Sequence, residues 1–221
     1  MRRGWGVLAI AGLFLFSATG PARAGALVTD PSQFLGSTTL ITFETFPGGA
    51  TVPYMSSNLD DEWKTLGVLI SDSSPADGAS AYSGTYSVPP HSGIKALADS
   101  ENFAGGFIQY SFVVPGTTSP TTVLEAGIWV QNGDGASAVQ FFDGAGALLA
   151  TVSTSGSDFF VGYHDSAGIA SLKIADQGYY LTDDLQFSCA SSSIPVPAPG
   201  ALFLAGIGLS LAGWLRRAAS A

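Results

Sequence analysis

The sequence predicts an all-β protein, an antiparallel β-sandwich of jelly-roll type. Three observations carry this. Ten short runs rich in β-branched and aromatic residues recur along the chain. No stretch of the body holds a 3.6-residue apolar period for three turns. The connectors are Gly, Ser, Pro, Asp and Asn, which break helices and make turns.

Taken in order, the expected strands are Thr38–Phe43, Gly67–Ser71, Ile94–Ala98, Gly106–Val114, Glu125–Val130, Ala138–Phe142, Leu148–Val152, Phe159–His164, Ile169–Ile174 and Tyr180–Phe187. Two connectors carry hairpin chemistry. In FFDGAGALL, Asp143-Gly144 and Gly146 supply residues that accept positive φ. Asn132-Gly133-Asp134-Gly135 suggests the same. Asp72 to Pro90 reads as a long loop, either a surface excursion or a binding loop.

Both ends read differently from this body. Arg2 and Arg3, the apolar run Gly6–Phe16 and Ala22-Arg23-Ala24 have the order of a secretory signal peptide over residues 1–24. The cut is expected after Ala24, by signal peptidase. The sandwich is then expected over 25–190, a Ser/Pro linker over 191–199, a short transmembrane helix over 200–217 and a tail over 218–221. Gly200–Leu215 is uncharged. As a helix it would be about 24 Å long, short against roughly 30 Å of hydrocarbon. Arg216 and Arg217 stop it on the cytoplasmic side.

Five of the eight basic residues lie in these end segments, whereas all 17 acidic residues lie between Asp30 and Asp184. Three lysines against 17 carboxylates give the body a formal charge of −14. Such a field repels nucleic acid and anionic lipid and attracts cations. Cys189 is the single cysteine, so no intrachain disulfide forms.

No catalytic motif stands out. G-x-S-x-G and H-E-x-x-H are absent, and His91 and His164 are the two histidines. Glu44, Glu62, Glu101 and Glu125 offer carboxylates for sugar hydrolysis, with nothing to select a pair. A calcium site has more support. In YYLTDDLQF, period two puts Asp183 on the inward face with Leu181, Leu185 and Phe187, and Asp184 opposite. An inward carboxylate needs a hydrogen-bonding, ionic or metal partner. The first expected strand runs into Glu44, which a jelly roll can bring beside the last strand. Glu44, Asp183 and Asp184 are therefore candidate calcium ligands, the alternative for Asp183 being capping of backbone N–H groups. Asp72/Asp77 and Asn132/Asp134 do not complete an EF-hand loop, and turn chemistry explains them. Tyr82 and Tyr86 in the long loop are candidates for stacking on a sugar. Trp63, Tyr179 and Tyr180 lie in or beside loops, and Trp129 and Phe141 are expected in the core.

Val196-Pro197-Ala198-Pro199, then a Gly-rich apolar helix, then Arg216-Arg217, resembles a PEP-CTERM sorting signal. Ala198 stands where the family name records Glu. The resemblance covers about the last 26 residues. It implies export by a Gram-negative bacterium that makes exopolysaccharide, transient anchoring in the inner membrane, and cleavage near Pro-x-Pro by exosortase. The body, through ITFE, FFDGAGALL, FVGYHDSAGIASLKI and DDLQF, resembles calcium-containing, carbohydrate-binding jelly rolls. That implies calcium at Glu44 and the Asp183/Asp184 pair. Two functions stay open: a non-enzymatic surface or matrix protein that binds calcium and exopolysaccharide, and a secreted hydrolase.

Overall fold

The structure is a computed structural model. It describes residues 25–73, 78–82, 88–99, 106–134, 136–155, 158–176 and 179–188. The signal segment with Ala24, the sorting residues Val196, Pro197, Ala198, Pro199, Arg216 and Arg217, and also Tyr86, Asp77, Glu101 and Cys189, lie outside the described residues. Among those described, no helix is long and apolar enough to cross a membrane.

Twelve strands follow one another: β1 (Ala26–Val28), β2 (Thr38–Ile41), β3 (Val68–Asp72), β4 (Ser80–Tyr82), β5 (Ala96–Ala98), β6 (Phe107–Phe112), β7 (Val123–Asp134), β8 (Ala136–Phe142), β9 (Leu148–Ser155), β10 (Phe159–Ile169), β11 (Ser171–Asp176) and β12 (Tyr179–Ser188). The only helical pieces among the described residues are two short 3₁₀ turns, Pro31–Gln33 and Lys64–Leu66. One sheet has seven strands in the order β1-β10-β7-β12-β5-β4, with β2 also on β12; the other has five, β3-β6-β11-β8-β9. All the ladders are antiparallel. The expected all-β, two-sheet architecture is present.

Alternating side chains fill the space between the sheets. Ile70, Ile108, Leu172 and Val139 enter from the smaller sheet, and Ile128 and Leu185 from the larger. Burial of such side chains is the main favourable term, about 1.5–3 kcal/mol each. One polar chain crosses this core. The Tyr110 hydroxyl lies 2.6 Å from Thr182 Oγ1, which donates to the Leu97 carbonyl at 3.0 Å. Trp63, expected near a loop surface, is buried with its ring edge-on to Phe43 at 5.2 Å. Tyr179 and Tyr180 are buried too. Phe141 is in the core as expected, whereas Trp129 lies on the outer face of its sheet.

Two local expectations fare differently. Asp143–Ala147 is a hairpin turn between β8 and β9: the Asp143 carboxylate accepts the Ala145 and Ala147 N–H groups, and Gly146 has φ 78°. The expected hairpin at Asn132–Gly135 is not seen: Asn132–Asp134 end β7, which pairs with β10 and β12, whereas β8 pairs with β9 and β11. Strands β1 and β4 were not expected; three residues each are too few to show a period.

The largest departure concerns β12. Its upper half pairs with β7 so that Thr182 and Val130 face the core, while Asp183 and Trp129 face outward. The ladder shifts between Asp183 and Gln186, and Asp184 takes a left-handed φ of 47°. This inserted residue reverses the alternation, so Leu185 and Phe187 point inward again. Asp183 is therefore not on the Leu185 face. It is on the outer face, and it is buried there by the chain that crosses it.

Candidate cation site at the β12 bulge

The bulge is where β12 changes partner. Thr182 pairs with Leu97 of β5, and Leu185 onward pairs with β2 from Ile41. Neither strand bonds the residues between. Into that gap come Glu44, just past the end of β2, and residues 91–95, just before β5.

The contacts are short. Asp183 is fully buried; its Oδ2 accepts the Ser92 N–H at 2.9 Å and its Oδ1 accepts the Asp184 N–H at 2.8 Å. The Ser92 hydroxyl donates to Asp184 Oδ1 at 2.9 Å. Glu44 Oε1 accepts the N–H groups of Ile94 and Lys95, at 2.7 and 2.6 Å. Gly93 makes this wrap possible: its φ is 54°, and a Cβ there would stand 2.4 Å from Glu44 Oε1. Phe43, immediately before Glu44, is left-handed at φ 60°. A bulky residue in that region costs of order 1–3 kcal/mol, and such strain gathers at functional sites.

Glu44, Asp183 and Asp184 thus all approach residues 92–95, the two aspartates through the bulge and not through alternation. The Asp183 carboxyl is pushed up to about 8: burial is the main cause, the negative charges of Asp184 and Glu44 add to it, and the two N–H bonds oppose it. No lysine or arginine pairs with it among the described residues. Glu44 and Asp184 each have one carboxylate oxygen that takes no hydrogen bond from the described residues. The donors are hard oxygens, the class that calcium takes. Among the described residues no three His, Cys, Asp or Glu side chains close into a metal-binding set. A cation here would draw on carbonyls or water for the rest of its shell.

The surroundings hold one exposed aromatic that the sequence reading missed. Tyr54 is 46% exposed, and Lys95 Nζ lies 5.4 Å from its ring centroid. Its only sequence signal is a place in a Pro- and Ser-containing loop, TVPYMSS. Tyr82, a sequence candidate, is half-buried against a small outer cluster of Val88, Ala96, Ala98, Tyr179 and Leu181. Trp129 is covered on the outer face: His91 stacks on it, with centroids 3.4 Å apart and planes 9° apart. Asp158 holds His91 Nδ1 at 3.1 Å and also accepts from Gln131.

One serine, acid and histidine among the described residues share a row, but not in the order of a triad. Ser188, Glu125 and His164 lie in one row, with the acid in the middle. Ser188 Oγ accepts the Glu125 N–H, and His164 Nδ1 stands 3.5 Å from Glu125 Oε1. The serine and the histidine are two strand spacings apart, about 9–10 Å, too far for a nucleophile and its base.

No family model matches the chain, and no curated protein does. Three solved structures are similar. TmCBM61 in complex with beta-1,4-galactotriose has TM-score 0.39 and 14% identity, covering 62% of this chain and 99% of that one. A family 6 carbohydrate-binding module has TM-score 0.34 and 12% identity, with 69% and 94% coverage. The enzymatically active domain of bacteriophage CBA120 tailspike protein 4 has TM-score 0.34 and 12% identity, with 63% and 22% coverage. At such scores and identities, function has to be read from this chain's own residues.

Proposed function

We propose that the chain is an exported bacterial surface or extracellular-matrix protein, non-enzymatic, whose jelly-roll-like sandwich binds calcium structurally and binds polysaccharide. The observation that carries the calcium reading is the buried Asp183 carboxyl beside Glu44 and Asp184, with no basic partner among the described residues. Calcium would be held by Glu44, Asp183 and Asp184. It would offset the repulsion among these carboxylates and tie residues 91–95 to β12. The polysaccharide reading is supported by Tyr54, an exposed ring beside this loop. Signal peptidase and exosortase would be the processing enzymes. Ala24, Val196–Pro199 and Arg216-Arg217 are the positions they would read, with the membrane contacted transiently through residues 200–217.

The test is thermal melting of the full chain in calcium and in EGTA. Calcium at about 100 times its Kd adds roughly 2.7 kcal/mol, or about 5–10 °C for a domain of this size. An unchanged melting temperature removes the calcium reading. For export, intact mass of the protein recovered from a Gram-negative host with and without an exosortase gene decides. A cut near Pro197–Pro199 that needs the gene supports the sorting signal; the full-length mass in both hosts contradicts it.

A further inference from the structure

A second site lies on the outer face of the same sheet, further along β12. Register places Ala26 of β1 opposite His164 of β10, and His164 opposite Glu125 of β7. Ser188 of β12 accepts the N–H groups of Leu124 and Glu125. The chain after β1 closes over this row. Asp30 and Gln33 cap the 3₁₀ turn, Phe34 sets its ring edge-on to Phe160 at 5.8 Å, and the Leu35 N–H donates to Glu125 Oε1 at 2.8 Å. Between residues 35–37 on one side and Leu124 with the Glu125–His164 row on the other is a cleft of about 380 Å³. That is within the range of small-molecule sites.

The floor of the cleft is electrically unfinished. Glu125 is 3% exposed, and its second oxygen receives no hydrogen bond from the described residues. His164 Nδ1 is buried and has no hydrogen-bond partner among the described residues, although it stands 3.5 Å from the carboxylate. The three lysines of the described body are engaged elsewhere: Lys64 with Asp61, Lys95 over Tyr54 and Lys173 over Phe107. A buried carboxylate wants a positive, hydrogen-bonding partner. An anionic ligand is excluded by the same charge.

We infer that this cleft binds a small ligand carrying a protonated amine, with Glu125 receiving the ammonium and Leu35 and Leu124 flanking the rest of the molecule. The inference is independent of the calcium reading, because Asp183 and Ser188 are about 17 Å apart along β12.

The test is calorimetric titration of the full chain in EGTA with D-glucosamine, N-acetyl-D-glucosamine and D-glucose. Glucosamine should bind at least about tenfold more tightly than the two neutral sugars. Glu125→Gln should bring it down to their level, and Leu35→Ala should weaken it a few-fold. Equal binding of the three sugars, no saturation by glucosamine, or full retention in Glu125→Gln overturns the assignment. If Glu125→Gln does not fold, the comparison among the sugars on the unaltered chain still decides.

Discussion

Asp183 lies directly across from Trp129 in the β12–β7 ladder, on the face of the sheet that points away from the sandwich interior. A carboxylate at that position would ordinarily be solvated. Here it is fully buried, because residues 88–95 cross the outer face: His91 stacks on the indole and Ser92 bonds the carboxylate. The sequence alternation had placed this group inside the sandwich. The structure gives it the same desolvation on the opposite side.

The first prediction concerns pH. Asp183 titrates at about 8 in the fold and near 3.8 in the unfolded chain. A raised folded pKa means that its contribution is fully present below about pH 4 and is lost as pH rises toward 8. Urea midpoints in EGTA should therefore carry a destabilising slope between pH 4 and 8. Asp183→Asn should flatten that slope, and an unchanged slope in the variant contradicts the assignment.

Gly93→Ala should cost roughly 1–3 kcal/mol, since it adds a Cβ at φ 54° and drives it onto Glu44. Ser92→Ala removes only the hydroxyl bond to Asp184 and should cost about 0.5–1.5 kcal/mol. Chemical denaturation ranks the two. The reverse order would mean that residues 91–95 do not wrap Glu44 as described.

Thr182→Val keeps the shape of the core and removes both bonds of the Tyr110–Thr182–Leu97 chain. It leaves the buried Tyr110 hydroxyl without this partner, at an expected cost of about 1–3 kcal/mol. Tyr110→Phe/Thr182→Val should recover part of the loss, which a double-mutant cycle measures.

Tyr54→Ala should lower the melting temperature by no more than about 2–4 °C, since the half-exposed ring gives up its contact with Lys95, worth about 0.5–1 kcal/mol. Retention on an exopolysaccharide affinity gel should fall. Tyr82→Ala should instead lower stability, since that ring packs on Val88 and Ala96. Unaltered retention in Tyr54→Ala removes Tyr54 from the polysaccharide surface.

Much of this was legible from strand-length runs. The runs around Ile70, Ile108, Val139 and Leu172 became core strands, because β-branched and aromatic residues at short range are a local signal. Glu44 and the last strand were expected together, and both reach residues 92–95. The direction of Asp183 was not legible. A one-residue bulge reverses every side chain, and Asp183-Asp184 read alone carries no mark of it. The Ser188–Glu125–His164 row was invisible for a related reason. It exists only once two registers are fixed, and its members are far apart along the chain, Glu125 lying 39 residues before His164 and 63 before Ser188. Tyr54 was passed over because a lone loop aromatic has no period.

The most direct test of the central claim is calcium titration calorimetry on the EGTA-stripped full chain, run in two buffers of different ionisation enthalpy at pH 7. The account expects one calcium per chain and proton release on binding, as the Asp183 carboxyl gives up its proton to take the ion, with both signals lost in Asp183→Asn. Binding without proton release, or binding that survives Asp183→Asn unchanged, would contradict it.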